Sequence, residues 1–399
     1  MKSGKCALCD RQFGSPGVVH SKEHLIPNSI GGQKKISGVL CKTCNDRTGA
    51  EWDAFLANQL SLVTTMVKVK RERGANPAID LVTLSGQPIR VHDDGHLTQP
   101  GSAPVEIATD GGIKIAGRVS TLAEARKLFR GLKRKYPKFD EEGALKRLKV
   151  ETTYLSEPIG GAVYIHGDSA GRSIVKSTYV LAVHSSILPE RCEVARKYLK
   201  ESYGPACWWF YYDGDPIPDR PTDSLFHCVA IRGNPATRQL LGYLELFGAY
   251  RMLILLSSKY DGTDLFSSYA VEPTTGKELT IAPKLDFPTA EVVAVCSGDR
   301  YRHDGMVAAI DKMMAIAYPK RVKRERDAVL MDAIRTAVPQ LGLQHGEAIG
   351  PEHVPELVRL MMLKIAPYII SQQEARRRPF PDPFPDSALS NKPLSSSSE

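Results

Sequence analysis

Two C-x-x-C pairs, Cys6/Cys9 and Cys41/Cys44, bracket an adjacent acid and imidazole, Glu23-His24. A two-residue spacer lets both sulfurs of a pair face one ion, and four thiolates are the donor set of tetrahedral structural zinc. The pairs stand 31 residues apart, more than the roughly 15–20 residues of compact zinc modules. The loop closed by the metal is therefore large enough to hold a small motif. Zinc held by four sulfurs has no open position, so chemistry inside the loop calls for a second, hard cation with oxygen ligands. Glu23 and His24 are neighbours in sequence, and on a strand they point to opposite faces. The carboxylate can then reach a cation while the imidazole faces a water. Phosphodiester hydrolysis needs that division of labour. A divalent ion neutralises the phosphate and stabilises the leaving oxygen, and a base that titrates near neutrality activates the water. Asn45, directly after Cys44, stands at the start of a helix, placed to face the strand.

These residues need a scaffold, and the surrounding pattern supplies one. Lys5 to Asp10 reads as a tight knuckle and Val18 to Ile26 as a short strand. Pro27 and Gly31-Gly32 turn the chain, and Val39-Leu40 form a second strand leading into Cys41. From Asn45 the pattern is helical, with Trp52, Phe55, Leu56, Leu60 and Val63 on one stripe. The order is strand, turn, strand, helix.

The series C-x-x-C, E-H-L-I-P-N-S-I-G-G and C-x-x-C-N-x-x-x-G, from Cys6 to Gly49, resembles the HNH endonucleases, a family with a ββα-metal fold and an accessory zinc. The resemblance implies that His24 is the general base and that Glu23 and Asn45 ligate Mg²⁺ or a similar divalent ion. It also implies that Cys6, Cys9, Cys41 and Cys44 hold structural Zn²⁺. The middle Asn of the family motif, which orients the base, has no direct counterpart here. Ser37 and Asn28 stand nearest to its role. Asn28, Lys42 and Arg47 are candidate contacts to nucleic acid. The expected partner is DNA, with RNA as the alternative substrate. A zinc-held nucleic-acid-binding module without cleavage is the other reading of the same residues.

The expected fold class is α+β. A zinc-stabilised head occupies residues 1–60, and a connector with basic helices occupies 61–155. A mixed domain with an antiparallel sheet and C-terminal helices follows over 156–368, then a Pro- and Ser-rich disordered tail over 369–399. In the connector, Ile79 to Val91 alternates like a hairpin. Thr121 and Glu124 form a capping box opening a helix that Pro137 stops. In the mixed domain Gly161 to His166 reads as a strand, Gly167 to Arg172 as a glycine-rich loop and Ser173 to Ser185 as a helix. The aromatic run Trp208 to Tyr212 reads as a buried strand. Four further strands, at 227–231, 240–246, 251–256 and 266–271, lead to a hairpin turn at Pro273 to Lys277. Helices at 306–318, 321–338 and 354–365 are punctuated by Pro319, Pro339 and Pro367.

A 42% hydrophobic content over 399 residues builds a sizeable core. The net charge of +8 leans towards anionic partners. Residues 1–75 hold twelve Lys and Arg against six Asp and Glu, which suits a phosphate backbone. Basic runs at 126–149 and 320–326 extend that surface or form a solvated face. Cys192, Cys207, Cys228 and Cys296 are scattered and read as buried reduced thiols. Residues Met1 to Cys6 carry no apolar segment, and no apolar run is long enough to span a bilayer. A cytoplasmic protein without membrane association is expected. Its mixed domain is a candidate receiver of a regulatory ligand or protein that restrains the head.

Overall fold

In the computed structural model of the chain, the described residues are 4–377, apart from 95, 102–103, 110–111, 150–153, 156–158, 161–164, 166–167, 202–203, 205, 212–213 and 344–345. In chain order, the head has strands β1 (His20–His24) and β2 (Lys35–Cys41), then helices α1 (Lys42–Thr48), α2 (Ala54–Gln59) and α3 (Ser61–Val67). Strands β3 (Ile79–Thr83), β4 (Pro88–Val91), β5 (Leu97–Thr98), β6 (Val105–Thr109) and β7 (Gly112–Ala116) follow. Next come α4 (Leu122–Lys135), α5 (Glu141–Lys146), β8 (Ile159–Gly160), α6 (Asp168–His184) and α7 (Glu193–Glu201). The strands β9 (Cys207–Trp209), β10 (His227–Asn234), β11 (Gln239–Leu246), β12 (Tyr250–Ser257), β13 (Leu265–Val271) and β14 (Glu278–Leu279) complete the β part. Helices α8 (Thr289–Cys296), α9 (His303–Ala337) and α10 (Val354–Arg377) end the described chain.

Contacts gather Met1–Val82, Pro88–Arg118 and Gly161–Arg324 into one compact unit, and Thr83–Gln87, Val119–Gly160 and the chain from Glu325 onward into another. The head therefore folds together with α6, α7 and the large sheet rather than as a separate bead. That sheet is antiparallel, in the order β14-β13-β10-β11-β12-β9. Both of its faces are covered. Val229, Ile231, Leu240 and Leu244 pack in a cluster with Ile174, Val175 and Val180 of α6. Cys228, Ala230, Leu241 and Tyr243 pack with Val292 and Val295 of α8. Two-sided burial explains why every residue of β11 is buried, and why its sequence is apolar without alternating.

The expected hairpins are present. β3 pairs with β4, and the Pro273 to Lys277 turn joins β13 to β14. In the other unit, Thr121 caps α4 by accepting from the Glu124 amide at 3.1 Å, while the Glu124 carboxylate accepts from the Ser120 amide at 3.0 Å. Four expectations need correction. Asp168 to Arg172 lie within α6 rather than in a loop. A Cβ at Gly171 would come within 2.1 Å of the Tyr198 hydroxyl, so the glycine allows close helix packing. Pro319 lies inside α9, which runs unbroken where two helices were expected. Buried Ala309, Met313 and Ala317 anchor the turns before it, and packing outweighs the one hydrogen bond a proline removes. Helix α10 likewise continues through Pro367 to Arg377, so Ile369 to Arg377 are helical rather than tail. Trp208 is exposed while Phe210 and Tyr211 are buried, because β9 is an edge strand of the sheet. Tyr212, the 161–164 part of the expected strand, and residues 378–399 lie outside the described residues. Cys192, Cys228 and Cys296 are buried free thiols, and Cys207 is half-buried. Among the described residues no helix is long and apolar enough to cross a membrane.

One buried residue ties head and sheet together. His227 at the start of β10 donates from Nε2 to the Ile30 carbonyl at 2.7 Å and accepts from the Phe247 amide at Nδ1, at 3.0 Å. With one nitrogen donating and the other accepting, the ring is neutral, and burial pushes its pKa down to about 4. A histidine with a depressed folded pKa stabilises fully above its unfolded value of about 6.5, and that stability is lost as pH falls towards the folded value. The expected loss is about 3 kcal/mol between those limits. In His227→Gln, the fall of urea midpoints between pH 7 and pH 5 should be shallower than in wild type, by up to about 1.4 kcal/mol per pH unit. Equal slopes would contradict a buried neutral histidine.

Candidate functional site

The head builds its site on a two-stranded antiparallel ribbon, with His20 opposite Cys41, Glu23 opposite Ile36 and His24 opposite Lys35. Alternation on β1 turns Glu23 inward, where it is 2% exposed, and leaves His24 half-buried beside it. Helix α1 begins immediately after Cys41 and carries Cys44 and Asn45. The stripe expected along the helical part holds at Trp52, Leu56, Leu60 and Val63, but Phe55 is 39% exposed. A π-helical turn at Gly49–Asp53 widens the spacing, and the first two steps that bury are each four residues.

The turn between the strands explains its glycines. Gly31 has φ +101°, and a Cβ there would stand 2.7 Å from the Pro273 Cβ in the hairpin turn of the large sheet. A Cβ at Gly32 would stand 1.8 Å from the Ile26 carbonyl oxygen. Gly31-Gly32 is thus needed for a left-handed turn and for two close approaches.

The sulfurs of Cys6, Cys9, Cys41 and Cys44 all lie within 4.8 Å of one another, with Cys9 and Cys41 at 3.9 Å. That is too long for a disulfide, and all four thiols are free. The Cys41 amide points at the Cys6 sulfur at 3.3 Å, a donor suited to a thiolate. Burial pushes the Cys44 thiol well up, and the charge of Cys6 adds to the effect. Four sulfurs at this spacing form a donor set that fits a tetrahedral ion, which would hold them as thiolates.

Inside the loop, Glu23 meets a partner from far along the chain. Lys176 of α6, only 1% exposed, donates to Glu23 Oε1 at 2.6 Å and to Asp53 Oδ2 at 2.5 Å. The Ser173 hydroxyl donates to Asp53 Oδ1 at 2.6 Å. Burial pushes the Glu23 carboxyl up against the pull of the Lys176 ammonium. Burial pulls Lys176 down, but Asp53 and Glu23 more than offset it and hold its pKa above the ordinary lysine value. Two carboxylates and one ammonium leave the cluster one negative charge in excess. Glu23 Oε2 is buried and has no hydrogen-bond partner among the described residues. An orphaned buried carboxylate oxygen in a net-negative cluster is what a hard cation takes as a ligand. Asn45 donates from Nδ2 to the Lys22 carbonyl at 3.4 Å, which sets its amide against the strand one residue before Glu23 and leaves Oδ1 as the acceptor end.

The ring of His24 is held by Glu72, with Nε2 3.3 Å from Oε1. Ser37 lies on the same ribbon, opposite Lys22. Asn28 donates to the Gly32 carbonyl at 2.9 Å and accepts from the Glu72 amide at 3.1 Å. Lys42 pairs with Asp46 at 2.5 Å on the exposed face of α1, and Arg47 is exposed nearby. His20 stacks on Phe13 with centroids 3.9 Å apart.

Residues 6–61 match the family model described as HNH endonuclease. This segment is similar to HNH endonuclease domains. No curated protein and no solved structure matches the chain. The HNH domain covers the ribbon, the thiol cluster, α1 and α2, and it implies nuclease activity on nucleic acid. Lys176 and Glu72 both lie outside it. Lys176 left a trace in the sequence, as the one charged residue in the apolar run Ile174 to Val183. Glu72 left none, being one acid within the basic stretch Lys70 to Arg73.

Proposed function

We propose that the chain is a metal-dependent endonuclease that hydrolyses DNA phosphodiester bonds at the HNH ribbon. The observation that carries this reading is the placement of Glu23 and His24 on opposite sides of one strand, with one carboxylate oxygen unpartnered and the imidazole half-exposed. Zn²⁺ on the four thiols fixes the loop. Glu23 Oε2 and Asn45 Oδ1 are the residues that would hold Mg²⁺ or a similar ion. Such an ion would neutralise the phosphate and stabilise the departing oxygen. His24 donates from Nε2–H to Glu72, which leaves the Nδ1 lone pair to take a proton from the attacking water. Lys176 and Asp53 fix the carboxylate of Glu23 from behind, as outer-shell partners fix metal ligands. Lys42, Arg47 and Asn28 are the candidate contacts to nucleic acid; Arg47 offers exposed charge to the phosphate backbone, and Lys42 would exchange Asp46 for phosphate. The thiol cluster and its reduced state fit a cytoplasmic setting.

Supercoiled plasmid with Mg²⁺ tests the reading. Wild-type protein should nick or linearise it, and His24→Ala should bind it without cutting. Binding with no cleavage by wild type in any divalent ion would favour a zinc-held binding module instead. Parallel assays on RNA decide the substrate class.

A further inference from the structure

We infer that Glu72 is the positioning residue of the general base, replacing the orienting Asn that the motif lacks. This rests on the assignment of His24 as base. The ordinary expectation for a surface acid beside a histidine and a lysine is a solvated pair worth little. Here the acid is pinned from three directions. The Lys70 amide donates to the Pro273 carbonyl at 2.7 Å, and Gln33 Nε2 donates to the Lys70 carbonyl at 3.0 Å. Asn28 Oδ1 accepts from the Glu72 amide at 3.1 Å. The motif's own turn and the large sheet thus hold the backbone of Glu72 over the ribbon.

The side chain is divided between cross-strand neighbours. His24 and Lys35 are a register pair on β1 and β2. Glu72 Oε1 lies 3.3 Å from His24 Nε2, and Oε2 lies 2.6 Å from Lys35 Nζ. Lys35 has only hydrogens to offer, so it fixes which way the carboxylate faces. A carboxylate offers only acceptor oxygens, so His24 must carry its proton on Nε2. Nδ1 is then the basic nitrogen, and the ring plane is set by a group outside the HNH segment. Glu72 touches neither water nor phosphate in this role; it acts through His24.

The isosteric variant Glu72→Gln separates positioning from mere packing. Lys35 claims the amide oxygen, which turns the amide NH₂ towards His24. Nε2 must then accept, the proton moves to Nδ1, and the base is lost although shape and fold persist. Plasmid cleavage should show kcat reduced at least about 10-fold, with KM not raised and the zinc content of wild type. Cleavage by Glu72→Gln at the wild-type rate, or faster, would overturn the proposal and mark Glu72 as dispensable or as a latch. A second readout needs no activity. With ¹⁵N-labelled histidine, the His24 signals, assigned by their loss in His24→Ala, should report the Nε2–H tautomer in wild type and the Nδ1–H tautomer in Glu72→Gln. The same tautomer in both would also overturn it. If wild type fails to cut while the tautomers differ as stated, the nuclease reading fails and the positioning contact stands.

Discussion

Cys41→Ser should lose its metal and unfold the head. Zinc content is expected to fall from one ion per chain to near zero, because three sulfurs without Cys41 cannot complete a tetrahedral site. Apparent binding free energies of structural zinc in small domains are about 10–16 kcal/mol, and they are folding energy there. In this chain the head is also held by the Tyr179 hydroxyl on the Ala7 carbonyl at 2.7 Å, and by Arg196 and Lys200 on Asp10 at 2.6 Å each. Those contacts soften the loss, so a net cost of roughly 5 kcal/mol or more is expected. At about 2–4 °C per kcal/mol for a unit of this size, the melting temperature should drop by about 10 °C or more. Limited proteolysis should cut within residues 4–61 first. A variant that retains one zinc and the wild-type melt would contradict the four-sulfur site.

Lys176→Met should be the most damaging substitution outside the HNH segment. Methionine fits the space but leaves the carboxylates of Glu23 and Asp53 without their shared cation. Removing one partner of a buried ion pair costs about 3–5 kcal/mol. The deficit should depend on pH in a set direction. Without the ammonium, the carboxyl of Glu23, already pushed up by burial, rises further above its unfolded value. A carboxyl whose folded pKa is raised loses stability as pH rises through it. The deficit against wild type should therefore be largest at pH 7–8 and shrink towards pH 5. Urea unfolding of both proteins across that range measures it, and a deficit that grows on acidification would contradict the assignment. Zinc content should remain one per chain, which distinguishes this variant from Cys41→Ser.

The two variants mark what the sequence could and could not show. The thiol set, both ribbon strands and the start of α1 were readable because spacing within a few residues dictates them. Asn45 and the Glu23-His24 alternation follow from the same local geometry. Lys176 was not readable as a partner of Glu23, because 153 residues separate them and only the packing of α6 on the head joins them. Glu72 lies 48 residues from His24 and arrives by a turn whose anchor, Pro273, belongs to another sheet. Phe55 was misplaced for a different reason: an ideal α-helical period misses the π turn before it. Pro319 and Pro367 read as stops because proline penalties are local, whereas the burial of Ala309, Met313 and Ala317 before Pro319 is not; the continuation of α10 through Pro367 has no comparable packing reason among the described residues. Regulation of the head by the mixed domain had been expected as ligand-controlled restraint. Independently of any such regulation, α6 supplies the cation that fixes Glu23.

The central claim is that His24 is the base of a metal-dependent nuclease. Single-turnover cleavage of supercoiled plasmid in Mg²⁺ by wild-type protein and by His24→Ala, at matched zinc content, tests it directly. Loss of a positioned general base removes about 10²–10⁴-fold of rate, so the variant should cut at least about 100-fold more slowly while binding the plasmid equally well. Cleavage by His24→Ala at the wild-type rate would contradict the account.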